Sequence, residues 1–284
     1  MEFWVNITFY SISYGALLFL LASGFSLIFG VMRIINVAHG SYYLLGGYIG
    51  YSVILRTHSF LLGILAGALS ISLLGIFMER LFLRRVPDNE LGQVLITMGF
   101  ALIFQDLGLL IWGGDYYTIK IPEFLSGSLV VGRFFFPKYR GFIIALAIVI
   151  GIGLWLFQNK TRAGAYIRAA VDNARMARAM GINVRLVSMG VFALGAVLAG
   201  LCGVVGGGFL SLYTGMDFEI LPYVVVVVIL GGRGSLLGAA LGSLVVGSID
   251  NFGKSLFPEF AYFSLFAPMV VMLAIRPMGL FGKE

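Results

Sequence analysis

Charge is what this sequence has least of. Only 11% of its 284 residues are Asp, Glu, Lys or Arg, against roughly 25% in an ordinary soluble domain. With 60% hydrophobic residues and a mean hydropathy of +1.01, the chain reads as an integral membrane protein. Cysteine is nearly absent. Cys202 stands alone in an apolar run, which excludes an intrachain disulfide and any thiolate cluster. The two histidines, His39 and His58, are too few to build a zinc site with it, so no metal is expected. Long polar stretches are missing too: the largest interludes, 113 to 140 and 159 to 185, are loop-sized. The chain is therefore read as one transmembrane domain over residues 1–284. No cationic stretch precedes the first apolar run and no small-residue cleavage site follows it, so the first span is expected to be retained.

What is present is a series of apolar runs near the ~20 residues that a helix needs to cross ~30 Å of hydrocarbon. They do not alternate as barrel strands would, so the fold class is all-α, a polytopic helical membrane protein. Expected spans are 7 to 31, 34 to 55, 60 to 83, 93 to 112, 141 to 158, 186 to 210, a composite region 222 to 250, and 260 to 275. That gives about 8 to 9 segments. The net charge of +6 gathers at span ends, which points to topology and not to nucleic acid. Lys160, Arg162, Arg168, Arg175, Arg178 and Arg185 against the single acid Asp172 mark a cytoplasmic segment, and Arg80, Arg84 and Arg85 share its side. Trp112, Tyr116, Tyr117 and Tyr139 suit the outer interface. Counting spans puts the N-terminus outside. The C-terminus, with Arg276 and Lys283, returns inside if "PYVVVVVIL" and "LLGAALGSLVVG" form a broken or re-entrant pair meeting at "GGRGS", 231 to 235.

Polar residues in the apolar background are the informative ones. Asn36 and His39, three apart, share a helix face in "NVAHGSYYLL". An unpaired polar group in hydrocarbon is expensive, so they line a path or gate, or else sit in the headgroup region beside Arg33. Arg233 among its glycines has the same two readings, with a surface loop favoured. "NVAHGS" and "LGGRGS" also suggest a two-half internal repeat aligning Gly40 and Ser41 with Gly234 and Ser235. Asp106 with Gln105 is expected near the outer interface, and Asp217 and Glu219 in an outer loop. Glycines spaced four apart, such as Gly46 and Gly50 or Gly203 and Gly207, signal close helix packing.

In "TRAGAYIRAAVDNARMARAMGINVR" the spacing predicts a helix over 165–180 stopped by Gly181. Tyr166, Ala170 and Ala177 fall on one small-sided face, and Asp172 pairs with Arg168 and Arg175 opposite. Alanines bury poorly in lipid, so docking against another protein is favoured. "SIDNFGKS" lacks the first glycine and the strand of a phosphate loop, and "GGRGSLLG" lacks the dinucleotide spacing; the chain has no ATPase of its own. No nucleophile, base and orienting group cluster, so an enzyme is not expected.

Taken in order, "FGVMRIINVAHGSYYLLGGY", "AVDNARMARAMGIN", "ILGGRGSLLGAALGSLVVG" and "RPMGLFG" closely resemble the LivH-like permease subunits of bacterial importers for branched-chain amino acids and related small substrates. The resemblance covers nearly the whole chain. It implies a multi-pass inner-membrane subunit of an ATP-binding-cassette importer, working with a second, LivM-like permease, two cytoplasmic ATPases that hold ATP and magnesium, and a periplasmic substrate-binding protein. With the polar interruptions, the substrate path is expected near Asn36, His39, Ser41, Tyr42, Gly232, Arg233 and Ser235. The coupling helix would be the one carrying Tyr166, Ala170, Asp172, Asn173, Ala177 and Gly181. Where the family commonly has an acid after His-Gly, this chain has Ser41 and Tyr42, which leaves an amino acid, urea, an amide or a small carboxylate open as cargo. A stand-alone ion-coupled transporter or channel is the alternative, with Asp106 as its candidate acid.

Overall fold

The computed structural model describes residues 2–86, 89–232, 234–276 and 279–281. Ten α-helices dominate the described residues: α1 Glu2–Met32, α2 Ala38–Thr57, α3 Phe60–Leu81, α4 Glu90–Trp112, α5 Lys138–Lys160, α6 Arg162–Ala179, α7 Val184–Gly207, α8 Met216–Gly231, α9 Leu236–Leu256 and α10 Ala261–Ile275. A two-stranded antiparallel hairpin, β1 Ser128–Val131 with β2 Phe134–Pro137, sits between α4 and α5. The chain is a polytopic α-helical membrane protein. Among the described residues, six helices, α1, α3, α4, α5, α7 and α9, are long and apolar enough to cross a bilayer.

The expected spans correspond to helices throughout, and the break expected at 231 to 235 falls between α8 and α9. Its second member is longer than expected, reaching Leu256. Gly232 and Gly234, with φ of +92° and +70°, make the turn, a conformation that favours residues without a Cβ. The bundle thus has two ends: one carries the β-hairpin and the 113–137 segment, the other carries α6.

Packing is governed by glycine. Apolar side chains gain nothing by leaving lipid for protein, so spanning helices are held by close backbone approach. A Cβ on Gly200 of α7 would lie 2.6 Å from the carbonyl oxygen of Gly67 on α3, and one on Gly247 of α9 would lie 2.6 Å from the nitrogen of Gly15 on α1. Gly24 and Gly195 bring α1 and α7 together in the same way.

These contacts repeat in inverted order. α1 packs on α9 as α7 packs on α3; α2 forms a hairpin with α3 through Gly50 and Gly63, and α8 with α9 through Gly231 and Gly238. These contacts relate α1–α4 to α7–α10. The pairing of Gly40 and Ser41 with Gly234 and Ser235 expected from sequence is therefore corrected. Ser235 caps α9, accepting from the Gly238 N–H at 2.9 Å, as Ser59 caps α3, accepting from the Leu62 N–H at 3.4 Å. Gly40 and Ser41 open α2, whose counterpart is α8. A six-residue motif match could not distinguish these, because each half contains four helix starts.

Gly200→Leu should separate α3 from α7 and lower the unfolding temperature of the detergent-solubilised chain, by the ~1–3 kcal/mol typical of overpacking. Gly153→Ala, at a position with nothing within 4 Å of the added carbon, should leave it unchanged. Equal melting curves for the two variants would refute glycine-governed packing.

A candidate substrate site at the meeting of two half-helices

After Met32 the chain turns at Arg33, φ +58°, and runs back into the bundle instead of along its surface. His39 Nε2 hydrogen-bonds the Leu21 carbonyl at 3.1 Å. Leu21 lies roughly 16 Å back along α1 from Met32, at 1.5 Å per residue. α2 therefore begins well inside the bundle, and Asn36 and His39 lie buried there, away from the α6 end of α1. Both are 0% exposed, with Ser41 at 1% and Tyr42 at 0%.

α8 begins at the same level from the other side. The Ser41 hydroxyl lies 2.8 Å from Asp217 Oδ2, to which it donates, and 3.4 Å from the Ala101 carbonyl. Ala101 is the midpoint of α4, so this contact marks the middle of the bundle. Gly40 makes the approach feasible: a Cβ there would sit 2.3 Å from the Asp217 carbonyl oxygen. Asp217 and Glu219 were expected in an outer loop. Instead they occupy the first turn of a half-helix, with Asp217 2% exposed. The signal available in sequence was Gly-Met-Asp opening the valine run, with Gly215 at φ +102° supplying the turn.

Side chains cap the starts of α3 (Ser59), α4 (Asn89), α6 (Thr161), α7 (Asn183) and α9 (Ser235). α2 and α8, like α5 at the bundle's hairpin end, have no side-chain cap. The first turns of α2 and α8 present backbone N–H groups and the positive ends of two dipoles to one point. Around that point both polar atoms of Asn36, His39 Nδ1 and Asp217 Oδ1 are buried without a hydrogen-bond partner among the described residues. Asn36 approaches the Tyr42 hydroxyl without closing a bond of good geometry, and that hydroxyl donates to Met78 Sδ at 3.4 Å. Each such orphan costs on the order of 1–3 kcal/mol. The His39 ring is packed edge-on between Phe25 and Tyr42, which fixes its orientation.

Gly232 and Ser235 do not join this group. They lie at the α6 end, where Gly234 packs against Gly30 of α1, roughly 14 Å along α1 from Leu21. Ser235 is occupied as the α9 cap, and the tail closes over this end through Leu280 N–H to the Leu230 carbonyl at 2.8 Å. Arg233 lies outside the described residues.

α6 also departs from expectation. It starts at Arg162 and is kinked at Asn173, whose φ of −155° and ψ of +97° are not helical. Asn173 Oδ1 accepts from the N–H groups of Arg175 and Met176 at 3.1 and 3.0 Å, capping a second short helix. The continuous spacing that would put Asp172 and Arg175 on one helix is broken there. Ala170 and Ala177 are each 3% exposed and packed inward, so the expected face through them is not open. Asp172 and Asn173 line a cavity of about 930 Å³ between α6 and the ends of α1, α3 and α4. Outward stand Tyr166 and, unanticipated, Met176 and Met180 at 61% and 76% exposed. Gly181 ends the segment as expected, with φ +83°.

Residues 7–275 match the protein family described as branched-chain amino acid transport system, permease component. The chain is 28% identical to the high-affinity branched-chain amino acid transport system permease protein BraD of Pseudomonas aeruginosa, over 93% of this chain and 91% of that protein. It is 27% identical to the corresponding LivH proteins of Salmonella typhimurium and Escherichia coli, over 97% of this chain and 94% of each of those. No solved structure matches it. With a family match running through both half-helices and from α1 to the last residue of α10, the chain belongs to the branched-chain amino acid transport permease family.

Proposed function

We propose that this permease is the membrane subunit of an ATP-driven importer in the inner membrane, and that its cargo passes the point where α2 and α8 begin. The observation carrying this reading is the set of orphaned polar atoms on Asn36, His39 and Asp217 between two uncapped helix starts. Half-helix N-termini at mid-bilayer suit the carboxylate of a substrate. The Asp217 carboxylate, held to Ser41, suits its ammonium group. That places an acid beside the position after His-Gly, where Ser41 had left the amino-acid cargo in doubt. An α-amino acid uses both poles of the site; urea uses only hydrogen bonds. A branched-chain amino acid fits best, as in the relatives' names.

The basic α6 end is cytoplasmic, the hairpin end and N-terminus outside, and the C-terminal tail inside. Cargo is handed over by a periplasmic binding protein, and two cytoplasmic ATPases with ATP and magnesium supply the free energy. The docking residues are revised from the alanines to Tyr166, Met176 and Met180, because large apolar side chains exposed outside the bilayer call for a partner. Asn173 positions them by capping the second helix. The ion-coupled alternative loses its candidate, since Asp106 is exposed on α4 and not in a buried, paired site.

Reconstituted with its partner subunits, the chain should take up radiolabelled leucine only with ATP, and Asp217→Asn should cut that uptake at least tenfold. ATP-independent uptake by the chain alone would overturn the importer reading. The pair Met176→Glu and Met180→Glu should insert normally yet uncouple ATP hydrolysis from transport; full uptake by that double variant would remove α6 from the coupling role.

A further inference from the structure

At the α6 end a cavity of about 840 Å³ opens between the last turn of α1, the last turn of α5, α6 and the start of α9. Its chemistry divides in two. One wall is polar: Arg33 and Arg168 bring two guanidinium groups to it, beside the amide of Gln158, and Asp172 is the single acid among the described lining residues. Neither arginine makes an ion pair among the described residues, although the sequence spacing set Asp172 one turn from Arg168. Arg33 is held at a φ of +58°, a conformation that a residue with a Cβ enters only where the surrounding fold imposes it. The other wall is apolar. Ile167 and Leu236 line it inside, and Trp155 and Leu237, 46% and 62% exposed, carry it outward. Trp155 lies five residues before the last residue of α5, roughly 8 Å inside that helix end, a level at which an indole meets the headgroup boundary.

We propose that this cavity seats one anionic phospholipid of the cytoplasmic leaflet, its phosphate between Arg33 and Arg168 and its acyl chains along Trp155 and Leu237. The inference rests on the reading above that the α6 end is cytoplasmic. Basic hollows between membrane helices on that side suit anionic headgroups, and two arginines near the surface favour such a headgroup over a zwitterionic one roughly thirtyfold. A zwitterionic lipid would set its own ammonium against the guanidinium pair. A free phosphate would use the cations and leave the exposed indole and leucine without a partner, whereas an amphiphile uses both walls. The lipid touches α6 through Arg168 and, through Arg33, the turn between α1 and α2. A bound headgroup therefore ties the segment that exposes Met176 and Met180 to the chain that enters the half-helix junction.

Brominated acyl chains quench a tryptophan that they touch, which makes Trp155 the reporter. In the full chain carrying Trp4→Phe and Trp112→Phe, which leaves Trp155 as its one tryptophan, reconstituted in phosphatidylcholine vesicles, a small fraction of dibrominated phosphatidylglycerol should quench several-fold more than the same fraction of dibrominated phosphatidylcholine. Arg33→Gln with Arg168→Gln should abolish that excess. Arg33→Lys with Arg168→Lys, which keeps both charges, should retain most of it. Equal quenching by the two lipids, an excess that survives the glutamine pair, or its loss in the lysine pair would overturn the proposal. Loss of the excess on adding inorganic phosphate at constant ionic strength would assign the cavity to a free anion and overturn it as well. Quenching needs no transport, so failure of the importer reading would show separately, as leucine uptake without ATP.

Discussion

A helix that starts inside a bilayer leaves backbone N–H groups where water cannot reach them. The architecture of this protein depends on how that problem is met twice at one point. α2 and α8 begin against each other, and the connection between them is one side-chain hydrogen bond, Ser41 to Asp217, with Gly40 allowing the backbones to touch. The carboxylate brings negative charge to two positive helix ends, which offsets part of the expense of burying it. What is left over, one oxygen of Asp217, both polar atoms of Asn36 and Nδ1 of His39, is buried without a partner among the described residues.

The surrounding helices make that arrangement rigid. The long α1, with its backbone against α7 and α9, carries the Leu21 carbonyl that anchors His39. α7 and α3 interlock through Gly200 and Gly67 as α1 and α9 do through Gly15 and Gly247, so each half-helix is braced by the opposite half of the molecule. Such interlocked contacts have discrete arrangements and not a continuum of them, which is what alternating access demands. At the other end, α6 packs against α1, α5 and α7 and exposes Met176 and Met180. In this account, transport is a change in how two helix starts face one another.

Much of this was legible in sequence, and the failures are instructive. Hydropathy located the helices because each lies on a continuous apolar run. The glycines of 231 to 235 announced the break because positive φ is scarcely available to other residues. Depth was not legible: a window of hydropathy measures length along the chain, and only the tertiary bond from His39 to Leu21 shows that residues 33–37 return into the membrane. Asp217 was misplaced for the same reason, since a carboxylate beside a valine run looks like a loop residue until Ser41 is found next to it. On α6, propensity favoured a straight helix. The alternative, Asn173 capping a new helix with its own side chain, is a local competition that tertiary packing decides.

The central claim is that α2 and α8 meet at the middle of the bilayer, and a reversible cross-link tests it most directly. In a chain carrying Cys202→Ala, the pair Ser41→Cys and Asp217→Cys should form an intrachain disulfide in native membranes under mild oxidation. Neither single variant should do so. Failure of the pair to cross-link, in membranes where the protein is intact, would contradict the account.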